Sequence, residues 1–124
     1  MDSPGYSYHE IDEGGKHLYI VLTRPCLDYP KMVLVVNISK NKPYKDQTCI
    51  LLPGCHRAIT IPSVVMYDRY IIAKLRELKA RESEGLCQSD LRFEGDLLTR
   101  IIAGVLASPR TPEECKTFLR LAVG

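Results

Sequence analysis

No stretch of this chain approaches the roughly twenty consecutive apolar residues of a membrane-spanning helix. Its N-terminus, MDSPGYSYHE, is polar rather than signal-like. Both absences give the expectation of a cytoplasmic protein with no membrane partner. No C-x-x-C pair occurs, and the five cysteines (Cys26, Cys49, Cys55, Cys87, Cys115) are an odd number that fits a disulfide framework poorly. Reduced thiols and no cofactor are therefore expected, with a zinc site from Cys49, Cys55, His56 and a distant ligand as the alternative. A surplus of one charge is also missing: 17 basic residues face 15 acidic ones, a net charge of +2, so a nucleic-acid partner has to be argued from local clustering. There is no repeat and no low-complexity segment. What remains is 124 residues, 45% hydrophobic and 26% charged, the composition of a globular protein of one domain spanning residues 1–124.

The pattern along the chain is strands first and helices last. Residues 1–10 carry Ser, Pro and Gly and are expected to be loose; residues 11–72 read mainly as strands and 73–124 mainly as helices. HLYIVLT (17–23), MVLVVNI (32–38) and QTCILL (47–52) are short, rich in β-formers and bounded by turn residues. HRAITI (56–61) alternates polar and apolar as a fourth strand would, and SVVMY (63–67) follows Pro62 as a fifth. IIAKLRELKARESEG reads as a short helix or as a strand that turns helical after Ile71-Ile72. Ser89-Asp90 offers an N-cap for a helix to residue 107 with Leu91, Leu98, Ile101, Ile102 and Val105 on one face. Thr111-Pro112-Glu113-Glu114 reads as a capping box opening a final helix anchored by Leu119 and Leu121. The fold class expected is α+β, a small curled antiparallel β-barrel followed by C-terminal helices.

In LLPGCHRAI (51–59) a cysteine stands beside a histidine. If the chain after Gly54 is extended, consecutive side chains point to opposite faces, so Cys55 and His56 diverge and do not form a catalytic dyad.

Four stretches, EGGKHLYIVLT, MVLVVNISKN, SVVMYDRYIIAKL and the segment 89–107, resemble in their order the PemK/MazF family of small SH3-like barrels, and KDQTCILLPGCH…SVVMY resembles an uncharacterised PemK-like branch of it. The resemblance covers roughly residues 13–107. It implies the toxin half of a toxin–antitoxin pair: a homodimer that meets an antitoxin protein and cleaves single-stranded RNA without a metal. Typical members have Arg-Pro after the Gly turn, where this chain has His17-Leu18, and Thr at the end of the next strand, where it has Ser39.

Cleavage by a ribose 2′-hydroxyl needs a base, an acid and donors for the charged phosphorane. On this reading His17 and His56 are acid/base candidates, Ser39 donates to a phosphate oxygen and Asp68 aligns with an acidic position of some members. Lys16, Lys40, Lys42, Lys45 and Arg57 contact the RNA backbone and Tyr44 stacks on a base. Each has a plainer alternative. His17 reads equally as a solvent-facing edge residue, Ser39 as a turn residue, the Lys40–Lys45 loop as solvated, His56 as a partner of loop backbone, and Asp68-Arg69 as a local surface pair. The rival to an endoribonuclease is a non-catalytic SH3-like module that binds a protein or a nucleic acid.

Overall fold

The computed structural model describes residues 1–123. The chain builds a mixed α+β fold: a six-stranded antiparallel sheet curled into a half-barrel, with three helices. The strands are β1 (Ser7–Asp12), β2 (Gly15–Val21), β3 (Met32–Lys40), β4 (Ile50–Leu51), β5 (Ser63–Lys74) and β6 (Cys87–Asp90), in spatial order β4-β5-β3-β2-β1-β6. The helices are α1 (Leu75–Ser83), α2 (Gly95–Ala107) and α3 (Glu113–Val123).

The period-two alternation of the central strands assigns their two faces. Leu18, Ile20, Leu34, Val36, Ile38, Val65 and Tyr67 point to one side, where Phe93, Ile101, Val105, Cys115, Phe118 and Leu119 complete the main core. Val21, Val33, Val35 and Ala73 point to the other, where they meet Tyr8, Leu78 of α1 and Cys87. β3 therefore buries both faces over Val33–Val36, which accounts for its continuous run of β-branched and aliphatic residues.

The β3–β5 ladder contains a large irregularity. Val35 pairs with Ile71 and Asn37 with Met66, so Val36 alone stands opposite Tyr67, Asp68, Arg69 and Tyr70. Extra residues on one strand of an antiparallel pair bend it and re-aim its side chains. Asp68 and Arg69 are exposed at this bulge.

Several expectations need correction. Residues 7–10 are not loose: they belong to β1, held between β2 and β6. Residues 56–61 form no strand, because Gly54 (φ +91°) opens a run of turns closed by Ile59 N–H to the His56 carbonyl. The 47–52 strand shrinks to Ile50–Leu51, whereas the strand from Ser63 runs on to Lys74 before α1 begins, in line with the reading of IIAKLRELKARESEG as a strand that turns helical. Ser89-Asp90 caps no helix. Both lie in β6, and an extended Glu94 followed by Gly95 (φ +59°) delays α2. Leu91 accordingly lies outside α2 and is exposed. The capping box also fails: the buried Thr111 Oγ1 has no hydrogen-bond partner, and the Pro112 carbonyl accepts from the Cys115 and Lys116 amides. Leu119 anchors α3 with Cys115 and Phe118, whereas Leu121 is exposed. No helix among the described residues is long and apolar enough to cross a membrane.

Candidate functional site

The sheet face opposite α2 and α3 is covered only in part by α1, and beyond it the side chains turn polar. Two adjacent clefts lie there. One, of about 320 Å³, is lined by Ser39, Tyr44, Lys45, Met66, Asp68, Arg69 and Arg110. The other, of about 230 Å³, is lined by Asp12, His17, Tyr19, Asn37 and Arg69. Arg69 belongs to both, so the two form one groove across β2, β3 and the β5 bulge.

The first cleft gathers three cationic side chains and a hydroxyl. Lys45 Nζ donates to Ser39 Oγ and to the Lys40 carbonyl, each at 2.7 Å. The Ser39 hydroxyl proton has no acceptor among the described residues. Arg110 arrives from the α2–α3 connection and donates from Nη2 to the Tyr44 carbonyl at 2.9 Å. A buried post sets that position. Ser108 Oγ donates to Asp46 Oδ2 at 2.5 Å, the Thr48 amide donates to Asp46 Oδ1 at 3.0 Å, and the Arg110 amide donates back to Ser108 Oγ at 3.1 Å. Burial alone would raise the Asp46 pKa, but the Ser108 and Thr48 hydrogen bonds outweigh it and hold the carboxyl below its ordinary value. Asp46 is thus an ionised anchor that ties the lysine loop to the helix connection. The Arg69 side chain makes no hydrogen bond or ion pair with a described residue, and neither does that of Asp68, so the alternative of a local Asp68–Arg69 surface pair is not formed. Tyr44 is 73% exposed at the rim.

The second cleft holds His17, whose Nε2 lies 3.3 Å from Asp12 Oδ1. That same oxygen accepts the Gly14 amide at 2.7 Å. Asn37 donates from Nδ2 to the Leu18 and Ile38 carbonyls at 3.2 and 3.3 Å, which fixes the orientation of its amide. The Tyr19 pKa is raised by burial and then by the nearby Glu10 and Asp12 carboxylates, so its hydroxyl stays protonated at neutral pH.

Of the residues picked out in the sequence, His17, Ser39, Tyr44, Lys45 and Asp68 come together in this groove. Lys16 and Lys40 are exposed at strand ends beside it, and Lys42 lines a separate shallow cleft with Asn41, Pro43, Gln47 and Pro62. His56 and Arg57 belong elsewhere. The His56 ring stacks on Phe93 at 3.9 Å between centroids. Its Nδ1 accepts the Ala58 amide at 3.0 Å, which leaves the proton on Nε2 to be donated to the Leu91 carbonyl at 2.7 Å. With both ring nitrogens engaged, His56 has no lone pair for a metal and no free site for proton transfer. Arg57 Nε donates to Asp90 Oδ1 at 2.5 Å. Cys55 is exposed while His56 is buried, so the two do diverge, although at a turn rather than along a strand.

The sequence reading missed Arg69, Arg110, Asp12, Tyr19 and Asn37 as site residues. Only the alternation of Tyr19 and His17 along β2 carried a usable signal for any of them. No family model, curated protein or solved structure matches the chain.

Proposed function

We propose that the groove binds single-stranded RNA, in a PemK/MazF-like protein with an SH3-like barrel, a homodimeric state and an antitoxin protein as partner. The observation that carries the RNA reading is that Lys45, Arg69, Arg110 and Ser39 line one cleft, with Asp68 as the one acidic residue lining it. Three cations and a hydroxyl suit phosphate oxygens, and the exposed Tyr44 suits stacking by an unpaired base. The test is a salt titration of binding to a mixed-sequence single-stranded RNA. Each phosphate neutralised contributes about −0.7 to the slope of log K against log salt, so about −2 is expected where Lys45, Arg69 and Arg110 each neutralise one along the strand. Arg69→Ala and Arg110→Ala should each flatten it by about one such increment. Affinity independent of salt, or no binding at all, would overturn the reading.

Within that reading the Asp12–His17 pair supports metal-independent cleavage. His17 would take the 2′-hydroxyl proton as the 2′-oxygen bonds to phosphorus. The 5′-oxygen would leave with a proton from Lys45, giving a cyclic phosphate and a 5′-hydroxyl. Incubation with RNA in EDTA and end-group analysis tests this: His17→Ala should slow cleavage by roughly 10²–10⁴-fold, while Cys55→Ala leaves it intact. The loss of His56 as a second acid/base group favours the rival, a non-catalytic module that binds a protein or a nucleic acid, and RNA binding without cleavage would support its nucleic-acid form.

A further inference from the structure

The smaller cleft carries hydrogen-bonding groups that no phosphate would use. Asn37 spends both amide protons on main-chain carbonyls, so Oδ1 is left as an acceptor without a donor among the described residues. Asp12 commits Oδ1 to Gly14 and His17, and Oδ2 is likewise free. Two acceptors therefore stand in a cleft whose other lining residues are His17, Tyr19 and Arg69, the last a guanidinium donor with no side-chain partner among the described residues. Its volume, about 230 Å³, falls below the roughly 300–1,000 Å³ of sites for drug-sized ligands, a size suited to a single base.

The four bases differ in the edge they bring to such a wall. Guanine alone presents two adjacent donors, N1–H and the N2 amino group, beside an acceptor, O6. Uracil sets one donor between two acceptors. Adenine and cytosine set a ring acceptor beside their amino group, which would face the Asp12 carboxylate. We infer that the cleft of Asp12, His17, Tyr19, Asn37 and Arg69 is a base-reading subsite that selects guanine next to a phosphate held in the larger cleft. This deepens the RNA reading and rests on it. Arg69 is then shared between the two tasks, with O6 on one side and phosphate on the other.

The experiment uses short 2′-fluoro oligonucleotides, in which cleavage cannot intervene: uridine throughout, or with a single guanosine, adenosine or cytidine. Fluorescence anisotropy should give the guanosine oligomer a preference of roughly tenfold or more, as one good bidentate base contact supplies. Asp12→Asn keeps the Gly14 contact and the shape of an exposed side chain but presents donors to donors. It should abolish the preference, read for each variant as the ratio of its affinity for the guanosine oligomer to its affinity for oligouridine. Asn37→Ala should act in the same direction. Equal affinity for all oligomers would overturn the guanine subsite while leaving the RNA reading in place, whereas failure of every oligomer to bind would overturn both. Guanosine monophosphate competing as well as the guanosine oligomer would overturn the assignment to a chain rather than a free nucleotide.

Discussion

Asp90 joins segments that lie far apart in the chain. Its carboxylate accepts His9 Nε2 at 2.7 Å, Arg57 Nε at 2.5 Å and the Leu91 amide at 2.6 Å. Burial would push its pKa up, but the hydrogen bonds from His9, Leu91 and Arg57 outweigh that and lower it from 3.8 to about 2. Because the folded value lies below the unfolded one, the contribution to stability is complete above about pH 4 and is lost as pH falls toward about 2. Denaturant unfolding of Asp90→Asn should therefore show a deficit at neutral pH that shrinks steadily through that acid window. A deficit that does not change with pH would mean that charge is not what Asp90 supplies. At this scale the sequence was a poor guide. Asp90 read as a helix cap and Arg57 as an RNA contact, because a carboxylate's partners are fixed by tertiary proximity that spacing does not encode.

α2 shows how one small residue sets the approach of a helix to a sheet. A methyl group at Gly104 would stand 1.9 Å from the Tyr67 hydroxyl oxygen and 2.4 and 2.9 Å from two ring carbons. Tyr67 cannot move away easily, since it is fully buried and its hydroxyl donates to the Ile101 carbonyl at 2.7 Å. Gly104→Ala gains about 1 kcal/mol of helix propensity but overpacks the core at about 1–3 kcal/mol. A net loss of stability is expected in thermal unfolding, and Tyr67→Phe should relieve only the hydroxyl share of it. A Gly104→Ala protein as stable as the parent would show that the helix can retreat. The strands around β2 and β3 were legible because their β-branched runs are bounded by turns. β1 was not, since SYHEID lacks an apolar run and its pairing with β2 and β6 comes from tertiary context. HRAITI failed in the opposite way: its alternation is genuine, but backbone turning after Gly54 overrides it.

Across the whole molecule the sheet separates two kinds of work. One face holds the main core with α2 and α3, and the other ends in the groove. Ser39, Tyr44 and Lys45 were legible as candidates because they sit together in one loop and strand end. Arg69 was hidden because its value depends on the ladder irregularity, and Arg110 because it reaches the site from a distant connection. The irregularity has a consequence of its own. Removing Asp68, Arg69 and Tyr70 would bring Ile71 into line behind Tyr67, opposite Val35, and turn two offset ladders into one uninterrupted register. The shortened chain should keep its circular dichroism spectrum and cooperative melting but lose the RNA affinity proposed for the groove. An unfolded product would show instead that the sheet needs the bulge in order to curl. On this expectation length variation at this point changes what the half-barrel touches, at the cost of the Tyr70 packing on the core and its hydrogen bond to Glu114 of α3.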